Sequence, residues 1–359
     1  ISVSQIEELL SFFISDKLYK KYEHTSQPKI TAINYFIDIF PEKRDLYVRA
    51  EMELQNKSAI PVDSIIFNTS DDWELDINIP NATLAFNDSI LGFRIYKLNT
   101  SLDSGASLKV KITSNYISRG FENEAGNRSI ARNGTFVNNM EILPSIGYNE
   151  GVELQDKNDR KKYGLKPKKR IPELEENCSE NCMINYLSDG ISDWVKVETV
   201  ISTSADQLAI APGSLIKEWQ EDDRKFFKYK VDHASQNFYS FMSADYEVGR
   251  RKWNGIDLEV YYDRKHDYNI EKMLDALQRS LEYYTINFGP YYHKQARIIE
   301  FPRYATFAQA FPGTMPYSEA FGFIADLEDS TENNVAEAVI AHEMGHQWWA
   351  HQEVSAKMQ

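Results

Sequence analysis

Cysteine is scarce: the 359 residues hold two, Cys178 and Cys182, so neither a cysteine-rich metal cage nor a disulfide scaffold organises the chain. Their spacing suits either a small-loop disulfide or two free thiols. Positive charge is also in deficit. Forty Lys and Arg against 54 Asp and Glu leave a net charge of −14, which repels a phosphate backbone or an anionic lipid surface and excludes general nucleic-acid binding. No run approaches the ~18 uninterrupted apolar residues of a spanning helix, and the N-terminus lacks the basic-then-apolar order of a signal peptide. What is present is apolar matter, 42% hydrophobic and 13% aromatic, enough for two or three packed domains. Asn-x-Ser/Thr sequons, such as those at Asn56, Asn68 and Asn177, suit a secreted protein but also arise by chance in an Asn-rich chain.

The hydrophobic period divides the chain. Ser4 with Glu7 forms a capping box for an amphipathic helix carrying Ile6, Leu9, Leu10, Phe13 and Leu18. After the breakers Thr25 to Pro28 the period becomes two, in Ile33, Tyr35, Ile37 and Ile39, then Leu46 to Leu54, Trp73 to Ile79 and Leu108 to Ile112. It returns in Val195 to Ile201 and Phe227 to Val231. Such half-buried antiparallel strands predict a β-sandwich or saddle-shaped domain over residues 29–252, following a helix and linker over 1–28. A loop holding Arg160, Lys161, Lys162, Lys166, Lys168, Lys169 and Arg170 reads as solvated charge. From about Trp253 one more alternating strand precedes helical spacing from Ile270 to Phe288, stopped by Gly289-Pro290, and a last helix is expected from about Asn333. A mixed α/β domain over 253–359 follows from that alternation.

The last helix contains Ala341-His342-Glu343-Met344-Gly345-His346-Gln347, which includes His-Glu-x-x-His. Residues four apart share a helix face, so His342 and His346 bring two imidazoles to one zinc ion. Glu343 follows the first ligand directly and is placed to take a proton from metal-held water attacking a carbonyl. Chance produces this motif in a chain with 7 His on the order of one time in a hundred. Val335, Val339 and Ile340 supply its buried face, Trp348 and Trp349 read as core anchors, and His351 falls off the ligand face.

The string from Val339 to Gln352, VIAHEMGHQWWAHQ, resembles the zinc helix of the aminopeptidase N-like gluzincin metallopeptidases, whose usual form is close to VIAHELAHQWFG. The order of parts agrees over nearly the whole chain. The resemblance implies a β-rich saddle domain followed by the start of a thermolysin-like catalytic domain, a zinc cofactor and a peptide substrate. It also implies a GxMEN-type segment that binds the substrate backbone, matched here to Gly313-Thr314-Met315-Pro316-Tyr317-Ser318-Glu319. Pro316 and Tyr317 stand where Glu and Asn are expected, so Glu319 is the substitute carboxylate for a substrate's α-ammonium. Leu143 to Asn149, with Glu153-Leu154 and the basic loop, looks like a bacterial branch of the family fused to transporter-like membrane segments, which suggests an extracytoplasmic face.

In that family the third zinc ligand is a Glu about nineteen residues beyond the second His, near residue ~365, with an oxyanion-steadying Tyr further on. The expectation is therefore a fragment of a longer enzyme, with weak zinc binding and negligible peptidase activity of its own. A rival expectation is a non-catalytic, partner-binding domain of a membrane assembly; a third is a gluzincin that cuts by another rule, as an endopeptidase or epoxide hydrolase.

Overall fold

The computed structural model describes residues 3–69, 73–120, 127–168, 192–327 and 334–353. Asn177, Cys178, Cys182, Lys169 and Arg170 lie outside the described residues, as do the side chains of Ser4, Ile6, Glu7 and Leu9. Among the described residues the fold is mixed and strand-rich, 44% strand and 20% helix.

The largest sheet has seven strands, in spatial order Ser214–Glu221, Arg224–Lys230, Ser192–Ser204, Lys29–Phe40, Asp45–Gln55, Ser107–Tyr116 and Glu74–Asn78. All its pairings are antiparallel except that of Lys29–Phe40 with Ser192–Ser204, which closes a long crossover. Period-two patterning turns one face inward: Ile33, Tyr35, Ile37 and Ile39 are at most 1% exposed. Each such side chain contributes roughly 1.5–3 kcal/mol of transfer free energy. A four-stranded sheet, Ala82–Asp88, Phe93–Leu102, Val62–Asn68 and Ser145–Ile146, and a three-stranded sheet, Leu208–Ile210, Ser240–Ala244 and Thr135–Asn138, share that core.

A second four-stranded sheet orders Tyr246–Trp253, Ile256–Asp263, Gln295–Phe301 and Thr314–Ser318. Its first pairing is antiparallel and the other two parallel. The change of sheet thus falls before Tyr246, earlier than the break in periodicity near Trp253. The helix Ile270–Phe288 connects two of these parallel strands and packs Met273, Leu274, Leu277 and Leu281 into a separate core with Ile340, Met344 and Trp348. Buried Arg297 joins the two regions: its guanidinium donates to Glu259 at 2.7 Å and to the Gly213 carbonyl at 2.7 Å.

The basic loop is less solvated than expected. Arg160 is 3% exposed, pairs with Asp16 of the first helix at 2.6 Å and donates to the Leu154 and Lys166 carbonyls. Lys168 and Lys20 flank buried Glu153. A guanidinium satisfied at several points can be buried where a lone charge cannot. The loop therefore fastens the helix Val3–Tyr19 to the β region. Leu10 and Leu18, expected on its packing face, are 40% and 48% exposed.

His293 is buried beneath the turn at Gly313, and burial followed by the fields of His351 and His233 lowers its pKa from 6.5 to about 3. A depressed imidazole contributes stability that is present above the unfolded pKa and lost as pH falls towards the folded one. Thermal or urea unfolding should therefore show about 2–3 kcal/mol lost between pH 6.5 and about 4.5. His293→Gln should flatten that dependence, and an unchanged pH profile in the variant would assign it elsewhere.

Candidate active site

The HExxH segment lies on the helix Val335–Trp348. Asn334 caps it, its side chain accepting from the Glu337 N–H at 3.1 Å. Ala336, Ile340, Met344 and Trp348 face the core. Val335, expected on the buried face, is 53% exposed because it sits in the first turn at the helix end; Trp349 is 44% exposed because the backbone leaves helical geometry there. Gly345 admits the helix Ile270–Phe288 closely: a Cβ on it would lie 3.1 Å from the Tyr284 hydroxyl, which donates to the Ala341 carbonyl at 2.9 Å.

The side chains of His342 and His346 converge as their spacing predicts. Their Nε2 atoms are 3.2 Å apart. Two nitrogens bound to one tetrahedral zinc at about 2.05 Å are separated by about 3.3 Å, so the pair fits the ion as two of its ligands. His346 Nδ1 lies 3.4 Å from the Trp349 carbonyl; donation there leaves Nε2 with its lone pair facing His342. Glu343 is 6% exposed. Burial pushes its pKa up, partly offset by the His346 and His342 imidazoles and the Ala310 N–H.

These three residues line one cavity of ≈ 760 Å³ that the β region shares, with Asn139, Met140 and Glu141 also in its lining. Glu141 was not anticipated. The Asn138-x-x-Glu141 box that could have drawn attention to it holds it in place: the Asn138 side chain accepts from the Met140 and Glu141 N–H groups and donates to the Glu141 carboxylate at 2.8 Å. Glu141 is open to the cleft, yet protein crowds it on most sides and displaces its hydration, which raises its pKa. Among the described lining residues the only formal charges are those of Glu141 and Glu343, and no Lys or Arg balances them.

The segment from Gly313 to Glu319 is placed differently from the expectation. Thr314–Ser318 is the last strand of its sheet, buried throughout because the segment Ala308–Phe311 bridges to its outer side, and none of Gly313, Thr314, Met315, Tyr317 and Glu319 lines the cleft. The cleft edge is instead Ala308-Gln309-Ala310, which folds back antiparallel on that strand through Gln309 N to Pro316 O at 3.2 Å and Phe311 N to Thr314 O at 2.8 Å. The physical reason is the Pro312-Gly313 turn: Gly313 has φ +66°, and a Cβ there would approach Gln295 Nε2 to 2.9 Å. Tyr317 is fully buried, its pKa raised by burial and then by the nearby Glu343 charge, so it packs behind Glu343. Glu319 accepts from the Arg303 N–H at 3.1 Å. It groups with His266 and Glu300, their ligand atoms within 4.8 Å of one another; this trio could hold a metal ion but stands apart from the HExxH pair. Glu300 there bonds His266 and the Asp263 N–H.

Gln347 and His351 hold the edge against the helix. Gln347, fully buried, accepts from the Gly313 N–H at 2.8 Å and donates to the Phe311 carbonyl at 3.0 Å. His351, read from the sequence as off the ligand face, bonds through Nε2 to the Ala310 carbonyl at 3.0 Å. No protein-family model matches the chain.

Gln347→Ala leaves the Gly313 N–H and Phe311 carbonyl unpaired in the interior, which should cost about 2–4 kcal/mol. Chemical denaturation checks this; a loss under about 0.5 kcal/mol would show that the turn holds itself.

Proposed function

We propose that the chain carries the zinc helix and substrate cleft of a metallopeptidase, with aminopeptidase action on peptides as the preferred reading and a thermolysin-like layout for the second sheet and its two helices. The observation that carries it is the convergence of His342 and His346 Nε2 at 3.2 Å beside buried Glu343. Zinc bound there would supply a Lewis acid that polarises a peptide carbonyl and acidifies water.

The rest of the work falls to the chain's own groups. His342 and His346 would hold the ion, and the Trp349 carbonyl orients the second imidazole. Glu343, with its raised pKa, accepts a proton from the attacking water and hands it to the departing amine. Gln309 and Phe311 direct their N–H groups at the strand Thr314–Ser318, so the alternate residues Ala308 and Ala310 face outward. Ala310 is engaged by His351 and Glu343, leaving the Ala308 backbone to pair with an extended substrate. The role expected of Gly313 to Glu319 thus passes to this neighbouring edge. Glu141, opposite the helix, is the carboxylate for a substrate α-ammonium, and the anionic lining favours that cation.

The test uses aminoacyl and peptide substrates with added zinc, on the longer enzyme that the resemblance implies. Glu343→Gln should lower kcat/KM by about 10²- to 10⁴-fold. Glu141→Gln should lower it by about 10- to 100-fold on free-amine substrates while sparing N-acetylated ones. Cleavage of N-acetylated peptides as fast as free-amine ones would make the enzyme an endopeptidase. No Glu343-dependent turnover on any substrate, with zinc demonstrably bound, would favour a binding role. His342→Ala or His346→Ala should weaken zinc binding at least about tenfold by calorimetry.

A further inference from the structure

Three neighbouring parallel strands, Ile256–Asp263, Gln295–Phe301 and Thr314–Ser318, run out at the same end of the second sheet. Ligands of sheets with parallel strands are held beyond the carboxyl ends, where the chain leaves the sheet and side chains from successive strands converge. Here each strand end contributes one metal-ligating group. His266 sits in the turn after the first strand, its N–H bonded to the Asp263 carbonyl at 2.7 Å. Glu300 is the penultimate residue of the second. Glu319 directly follows the third, its N–H bonded to the Phe301 carbonyl at 2.9 Å. The three ligand atoms lie within 4.8 Å of one another. Their charges are not balanced by the protein. Glu300 is 4% exposed, yet its carboxylate meets only His266 Nδ1 at 2.5 Å and the Asp263 N–H at 2.7 Å. Among the described residues no Lys or Arg forms an ion pair with Glu300 or Glu319, and Arg264, beside the cluster in sequence, engages Asp245 instead. A buried carboxylate without a cationic side chain is the ordinary setting of a metal ligand.

We propose that His266, Glu300 and Glu319 form a second metal site, for a divalent transition ion of the zinc or manganese kind, which ties the ends of the three strands together. The proposal does not rest on the peptidase reading above. One imidazole with two carboxylates is a mixed nitrogen and oxygen donor set, which suits such ions, whereas calcium takes six to eight oxygens. Ligand atoms on one ion at about 2.1 Å stand about 3.3 Å apart, so the trio contracts on binding, and Glu319, only partly buried and outside the strand, is the member free to move. His266 is 20% exposed, which leaves the ion a way in from solvent. The ion's consequence is mechanical. The strand that Glu319 terminates carries the segment Ala308–Phe311 on its outer side, so fixing its end stiffens the support of the cleft edge.

The experiment strips residues 1–359 of metal and works in the His342→Ala, His346→Ala double variant, which removes the helix pair as a competing site. Zinc, manganese and calcium chlorides are titrated by calorimetry, and bound metal is counted after desalting. One equivalent of zinc or manganese should bind, with calcium at least about tenfold weaker. Adding His266→Gln or Glu319→Gln should weaken binding at least about tenfold, and the metal-free unfolding midpoint, measured alongside, shows whether each variant is folded. Metal should raise the midpoint of the double variant and leave that of the His266→Gln form unmoved. With manganese bound, pulsed electron paramagnetic resonance should show coupling to one imidazole nitrogen that His266→Gln abolishes. No metal retained by the double variant, calcium binding as tightly as zinc, or affinity indifferent to both added substitutions overturns the proposal.

Discussion

Everything in the cleft depends on how the HExxH helix is bonded to the hairpin beside it. A helix satisfies its own backbone, so its position relative to a sheet is set by side chains. Here the amide of Gln347 reaches both sides of the Pro312-Gly313 turn, and His351 secures Ala310 one step further along. Both lie in surroundings where an unpaired polar group is costly, which makes them clamps with a single low-energy arrangement. Because Gln347 directly follows His346, the clamp and the imidazole pair cannot move independently. Gly345 adds the close approach of Tyr284 from the opposite side.

The strand-rich region contributes the far wall of the same cavity. The short helix Asn139–Ile142 presents Met140 and Glu141, and the face of the seven-stranded sheet supplies the apolar depth. Buried Arg297, bonded to Glu259 and the Gly213 carbonyl, links the regions on another side, and the Gln236 amide donates to the Ala350 carbonyl just beyond the HExxH helix.

Local pattern was informative where it is also the cause of structure. Alternation in Ile33 to Ile39, and strictly in Leu46 to Leu54, identified strands because the pleat decides which side chains face inward. The spacing of His342 and His346 foretold their convergence because one helical turn separates them. Val335 and Trp349 went astray at the helix ends, where periodicity no longer binds a residue to the core. The Gly313 to Glu319 segment carried motif-like letters, yet the Pro312-Gly313 turn folds Ala308–Phe311 over the strand Thr314–Ser318 and buries it. Arg160 looked like one charge among several in a loop, and its shortest buried ion pair is with Asp16, 144 residues away in sequence.

The sequence by itself determined the helical spacing of the two histidines and glutamate, the alternating strands and the negative balance of charge, all of which follow from neighbours in the chain. Tertiary structure alone decided that Glu141 and Glu343 line one cavity and that Ala308 to Ala310 fold back on the strand Thr314–Ser318. The first of these relations joins segments far apart in sequence. Both depend on which sheets pack and which buried polar groups find one another, and no period or spacing encodes that.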